Sequence, residues 1–127
     1  MKHVFNKNFS LNSPEDYFKE FSSNTPFPHF VIENFLNEDS ANKVLNNFKI
    51  TKKWTNLSLV NNYKKFLLND RGFMDVNCNE IIEELGSKEF IENLSRCTGF
   101  KNIFLDKSLV GGGLQQSLNG GYLNIHT

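Results

Sequence analysis

The residues best able to do chemistry lie near the end of the sequence, in the run "GGYLNIHT". Tyr122, Asn124 and His126 alternate there with apolar residues. Because side chains in a strand point alternately to opposite faces, these three residues should share one face of a strand. A histidine on a polar strand face is either a surface residue or a metal ligand, since imidazole nitrogen binds several transition metals. The alternation alone leaves both readings open.

The strand that carries this face is predicted to form a hairpin with the residues before it. An Asn-Gly pair at 119–120, between two strand-like runs, is a strong signal for a two-residue turn. Such a turn would place Gln115 opposite Asn124 and Gly113 opposite His126. Glycine in a strand often marks a close approach by a ligand or by another backbone. We therefore expect Gln115 to join the polar face.

Composition and charge argue against two classes of partner. The chain has 127 residues, and 14 basic residues balance 14 acidic ones. A broad nucleic-acid surface needs a positive footprint and an anionic lipid surface attracts polybasic segments, so we expect neither partner. No apolar run approaches the roughly 18 residues of a membrane span, and no segment resembles a signal peptide. The expected location is cytoplasmic.

The other residue types that bind metals show no clustered pattern. Cys78 and Cys97 lack a metal-binding spacing such as C-x-x-C, and we expect two free thiols. His3 and His29 are expected to be structural or surface residues.

Helices are predicted first along the chain and strands last. Ser13 and Pro14 suit a helix start, since serine can cap and proline fits the first helical position. Asn37 should cap a second helix, and short helices are predicted at 79–85 and 88–96. An early strand is predicted at 29–36, with a turn near Glu33 and Asn34. The buried face of the second helix should consist of four apolar residues, Ala41, Val44, Leu45 and Phe48. This order indicates an α+β fold with helices packed on a sheet.

Three segments resemble a known family. The run "DKSLVGGGLQQSLNGGYLNIHT", at 106–127, is similar to the approach to the first metal ligand in Fe(II)/2-oxoglutarate-dependent oxygenases, with the prolyl 4-hydroxylase-like branch closest. The runs "PFPHFVIENFLN", at 26–37, and "SKEFIENLSRCTGF", at 87–100, resemble earlier parts of the same domain. The "GGxLxIHT" portion is the most specific of these.

The resemblance implies a double-stranded β-helix, a jelly-roll-like fold, that holds iron by two histidines and a carboxylate. His126 matches the histidine of the family's H-x-D/E motif and is the implied first iron ligand, and Thr127 matches the x. The carboxylate would be residue 128, followed much later by the second histidine and a basic residue that binds 2-oxoglutarate. Tyr122, Asn124 and Gln115 are implied to line the co-substrate space, although the family commonly carries histidine at the Gln115 position. The implied cofactors are Fe(II) and 2-oxoglutarate, with O₂ as co-substrate.

Two functions follow as expectations. In the first, residues 1–23 are an N-terminal extension with a short helix, and residues 24–127 are the N-terminal part of an oxygenase domain, cut inside its metal motif. The intact parent would hydroxylate an unactivated carbon of a small-molecule or peptidyl substrate, and this chain alone would be inactive and would self-associate through uncovered strand edges. In the second, the chain is a non-enzymatic α+β binding or assembly module.

Overall fold

The protein was analysed as a computed structural model that describes residues 4–6, 13–50, 52–58 and 62–125. Within these ranges it contains four α-helices and one antiparallel sheet of three strands, which confirms the expected α+β class. The helices are α1 (Pro14–Ser23), α2 (Glu38–Ile50), α3 (Val76–Leu85) and α4 (Lys88–Thr98). The strands are β1 (Thr55–Asn56), β2 (Asn62–Leu68) and β3 (Leu114–Leu123), in the order β1-β2-β3, and a 3₁₀ turn spans Arg71–Phe73.

Most helices begin and end close to the predicted residues, but α3 begins at Val76, three residues before the predicted start, because the Asp75 carboxylate caps it by accepting from the Asn77 amide at 2.7 Å. Asn37 accepts a hydrogen bond from the Ser40 amide at 2.8 Å at the start of α2, and Ser87 accepts one from the Phe90 amide at 3.2 Å at the start of α4. These bonds satisfy amides that a helix leaves unpaired at its first turn. Gly99 ends α4 with φ of 75°, which glycine adopts without steric cost. None of the helices in the described part of the chain is long and apolar enough to cross a bilayer.

Two clusters of buried side chains form the core. In the first, Phe90 of α4 packs against Phe5 and Phe35, with ring centroids 5.8 and 6.1 Å away. The second cluster lies between the helices and the sheet, and its buried members are Leu68, Met74, Cys78 and Leu109. Helix α1 packs along α4, which brings it onto the first cluster.

The buried face of α2 differs from the predicted one. Ala41 is exposed and Leu45 is 55% exposed, whereas Ser40 and Asn47 are buried. Val44 packs on the second cluster as expected. The Asn47 side chain hydrogen-bonds to Asp75 at the start of α3, so a polar contact between two helices places this residue inward. The apolar periodicity could not reveal that contact.

The predicted strand at 29–36 does not form, whereas the turn expected near Glu33 and Asn34 is present. Asn34 has φ of 51°, a left-handed conformation that interrupts an extended backbone. A single bridge joins Leu36 to Phe5, supported by a hydrogen bond from the Asn37 amide to the Val4 carbonyl at 3.1 Å. The segment therefore runs over the first core cluster as irregular chain.

The predicted hairpin at 119–120 is also wrong. Leu114–Leu123 is one strand, and all of its ladder pairs lie on β2: Leu114 lies opposite Leu68, and Leu123 lies opposite Asn62. The register shifts between Tyr63 and Lys65, so β3 contains extra residues at this point. The Asn-Gly pair lies in this irregularity, where Gly120 has φ of 75°. The positive φ of this glycine therefore serves an irregularity within β3 and not the turn of a hairpin.

Candidate functional site

Strand β3 carries two of the polar residues that the sequence singles out. Gln115 lies opposite Leu67, and Tyr122 lies opposite Tyr63, with 5.9 Å between the two ring centroids. Asn124 is exposed and follows the end of the strand. His126 and Thr127 lie outside the described residues. The expected pairing of Gln115 with Asn124 does not occur, because β3 pairs with β2 and does not fold back on itself.

The first half of β3 has one face toward the helices and one away from them. Leu114 and its partner Leu68 pack in the second core cluster. Gln115 and Ser117 are exposed, and side-chain alternation directs both away from the helices. Gln115 therefore belongs to the outer face of the sheet.

A backbone irregularity separates this half from the part that contains Tyr122. Lys64 has φ of 52°, and its ammonium group donates to the Asn119 carbonyl at 3.0 Å. Its amide donates to the Ser58 hydroxyl at 2.9 Å. These bonds hold the irregularity in place, and they interrupt the regular alternation on which the shared face was predicted.

Two residues of the site were missed by the sequence reading. Tyr63 faces Tyr122 across the ladder and is 48% exposed, and the Lys64 ammonium lies 5.4 Å from the Tyr63 ring centroid. Together they form a patch of two aromatic rings and one cation. The run "NYKKF" has two adjacent lysines and no strict alternation, and nothing local to it identifies β3 as its partner.

The glycines before β3 allow close approach of two backbones. Gly113 has φ of 101°, and a Cβ atom there would come within 2.5 Å of the Leu68 carbonyl oxygen. The sequence suggested a close approach by a ligand or by another backbone, and the structure places the backbone at the end of β2 there. At Gly111, apart from the adjacent residues, no atom in the described part of the chain would lie within 4 Å of a Cβ atom, so only part of the run requires glycine.

A hydrogen-bonded loop leads into these glycines. The Asp106 carboxylate accepts from the Ser108 hydroxyl and amide, at 2.5 and 2.9 Å, and from the Val110 amide at 3.0 Å. These donors, the Ser108 side chain first, hold the pKa of Asp106 below its ordinary value. At neutral pH the carboxylate is ionised and fixes the loop ahead of β3.

The described residues do not by themselves make an iron site. They contain no group of three His, Cys, Asp or Glu side chains that could hold a metal ion. His29 Nδ1 lies 2.8 Å from the Phe27 carbonyl, to which it can donate. Cys78 and Cys97 are free buried thiols in different core clusters, as expected, and burial raises the pKa of each. A family-type site would need His126 together with residue 128.

Comparisons of the chain with models of protein families, with curated proteins and with solved structures found no match.

Proposed function

We propose that the chain is the N-terminal part of an Fe(II)- and 2-oxoglutarate-dependent dioxygenase that hydroxylates an unactivated carbon. The run "GGGLQQSLNGGYLNIHT" at 111–127 carries this proposal, because it resembles the approach to the first metal ligand in the prolyl 4-hydroxylase-like branch. The proposed complete fold is a jelly-roll-like double-stranded β-helix, and the proposed location is cytoplasmic.

The arrangement of layers supports the proposal. Helices cover one face of the antiparallel sheet through the second core cluster, while Gln115 and Ser117 lie on the uncovered face. A second sheet of a jelly roll would cover such a face and enclose a site between the two sheets. Strand β3 ends at Leu123, three residues before His126 along the chain.

The roles of individual residues follow from the resemblance. His126 is the proposed first iron ligand, and residue 128 would supply the carboxylate of the H-x-D/E motif. Tyr122, Asn124 and Gln115 are proposed to line the co-substrate space, where amide and phenol groups can hydrogen-bond carboxylates. When bound, iron and 2-oxoglutarate supply the oxidant for C–H hydroxylation. The ligand set needs more than one imidazole, so the 127 residues alone are expected to be inactive.

The deciding experiment begins with the native coding sequence beyond codon 127. An aspartate or glutamate at 128, with a later histidine and basic residue, is the expected result. The extended protein should form succinate from 2-oxoglutarate only when Fe(II) is present. His126→Ala should abolish this activity, and His29→Ala, which changes a histidine remote from the motif, should keep it. A different residue at 128, or activity that survives His126→Ala, would overturn the proposal.

A binding or assembly module is the second candidate, and the exposed apolar residues near the end of the sheet favour it. Leu118, Tyr122 and Leu123 are each about half exposed, and Ile125 is fully exposed. Strand β3 also contains no charged residue, and charge is one of the devices that protect sheet edges. Sedimentation of the chain at increasing concentration tests self-association through this edge. A monomer at all concentrations would remove the support for assembly.

A further inference from the structure

A partly enclosed cavity of about 340 Å³ lies between the helical layer and the sheet. Val44 of α2 and Ile81 and Ile82 of α3 form its helical wall, and Leu114 contributes from the start of β3. Leu109, from the loop before β3, closes another side. Because the walls come from separate segments on both layers, this is an interior space and not an exposed face of a single element.

The lining of the cavity is hydrocarbon, apart from one thiol and one glycine. Cys78 supplies the thiol, and burial raises its pKa, so it remains protonated at neutral pH. None of the lining side chains that the structure describes is charged or carries an amide, hydroxyl or carboxylate. A polar group placed inside would lose its hydrogen bonds to water without replacement. The lining therefore selects an apolar occupant.

The loop that forms one wall is fixed in place. Leu105 lies against the α3–α4 turn so closely that a Cβ atom on Gly86 would come within 2.5 Å of it. Asp106 then binds the Ser108 and Val110 amides, which positions Leu109 over the space. The cavity is thus built by defined contacts on its loop side.

We propose that this cavity binds an unbranched alkyl chain of a small amphiphile. A dry cavity of about 150 Å³ binds benzene, so roughly twice that volume suits a chain of about eight to twelve carbons. The volume also falls within the range of about 300–1,000 Å³ typical of small-molecule sites. The polar end of the ligand would remain in water at the opening. This inference is independent of the proposed oxygenase function.

Calorimetric titration with primary alcohols from hexanol to dodecanol tests the proposal. We expect saturable binding of one molecule per chain, with affinity rising about fourfold for each added methylene until the cavity is filled. The rise should stop at or before dodecanol. Absence of saturable binding, or a rise that continues undiminished to dodecanol, would overturn the proposal, because the second pattern describes unspecific partitioning.

A matched pair of variants on α2 locates the binding. Val44→Phe adds volume inside the cavity, whereas Leu45→Phe adds similar bulk at a neighbouring position that is 55% exposed and does not line it. Val44→Phe should weaken decanol binding at least tenfold, and Leu45→Phe should leave it unchanged. Equal effects of the two substitutions would contradict an interior site.

A measurement on the unaltered chain covers the case in which Val44→Phe fails to fold. Methyl-labelled protein with decanol should show intermolecular NOEs to Ile81, Ile82 and Leu109, and none to Leu94, which belongs to the first core cluster. NOEs confined to exposed methyls such as those of Leu118 would overturn the proposal. So would a dimer that excludes decanol and is lost in Val44→Phe, because a second copy would then occupy the cavity.

Discussion

Helix α4 and strand β3 differ in what holds each of them in place. The helix buries Phe90 and Cys97, has a hydrogen-bonded cap at its start and ends at a left-handed glycine. Among the described residues the strand pairs only with β2, most of its side chains are exposed, and its path depends on unusual backbone conformations at Lys64, Gly113 and Gly120. Side-chain burial therefore dominates in the helical region, and backbone geometry dominates in β3.

Truncating an aromatic ring in each region should give the largest difference. Phe90→Ala removes a ring from a buried cluster, and we expect a loss of about 3–5 kcal/mol in the free energy of unfolding. Tyr122→Ala removes one member of an exposed cross-strand pair and should cost below about 1 kcal/mol. Urea denaturation followed by circular dichroism measures both. Similar losses in the two variants would mean that the Tyr63–Tyr122 pair is buried in solution, as it would be in a dimer.

Adding one methyl group to the backbone at the start of β3 should have the next largest effect. Gly113→Ala forces a Cβ atom against the Leu68 carbonyl at a φ of 101°, and we expect a loss of about 2–3 kcal/mol. Gly111→Ala is the matched control, since its Cβ would contact no described residue beyond its chain neighbours within 4 Å, and it should change the free energy of unfolding by about 0.5 kcal/mol or less. The same denaturation experiment applies. Equal stability of the two variants would show that β3 does not approach β2 as closely as described.

The same contrast explains which parts of the fold could be predicted from sequence. Helix starts at Pro14 and after Asn37 and Ser87 depend on neighbouring residues, and these predictions are confirmed. The pairing of β3 with β2 joins residues far apart in the chain, and no local pattern specifies it. The Asn-Gly signal predicted a hairpin that does not form, and the pair lies instead in the irregular part of β3.

In the candidate site, too, the sequence predicted local features and not long-range pairing. The positions of Tyr122 and Gln115 on a strand followed from alternation, since strand formation is a local tendency. Their partners Tyr63 and Leu67 did not follow, because register is set by the whole sheet. The role of His126 stays a prediction, as this residue lies outside the described ranges.

The cap of α3 allows a smaller effect to be followed by pH. Burial opposes ionisation of Asp75, but hydrogen bonds from Asn77 and Asn47 outweigh it and hold the pKa of Asp75 below its ordinary value of 3.8. A carboxyl with a lowered pKa stabilises the folded state fully above its unfolded value, and this contribution is lost as the pH falls through the folded value. Asp75→Ala should therefore cost about 1 kcal/mol at pH 7, and the difference from the unaltered chain should shrink below pH 3.8.

Ser87→Ala is the control for this experiment. Ser87 caps α4 with a hydroxyl, which does not titrate in this range, so its cost of about 1 kcal/mol should persist at acidic pH. Unfolding curves at pH 7 and at pH 3 measure both variants. A pH dependence shared by the two would assign the effect to general acid destabilisation and not to Asp75.

The smallest effect should come from the ion pair that joins α1 to α4. Arg96 donates to Glu15 at 3.0 Å, but both side chains are largely exposed, so water and salt screen the attraction. A double-mutant cycle of Arg96→Ala and Glu15→Ala should give a coupling free energy within the error of the denaturation curves, with no change in 1 M salt. Helix α1 would then be held by the packing of rings such as Tyr17 on the first core cluster, as burial dominates the rest of the helical region. A coupling that is measurable at low salt and lost in 1 M salt would show instead that charge attraction holds α1 in place. The contrast between the helical region and β3 would then apply to α3 and α4 only.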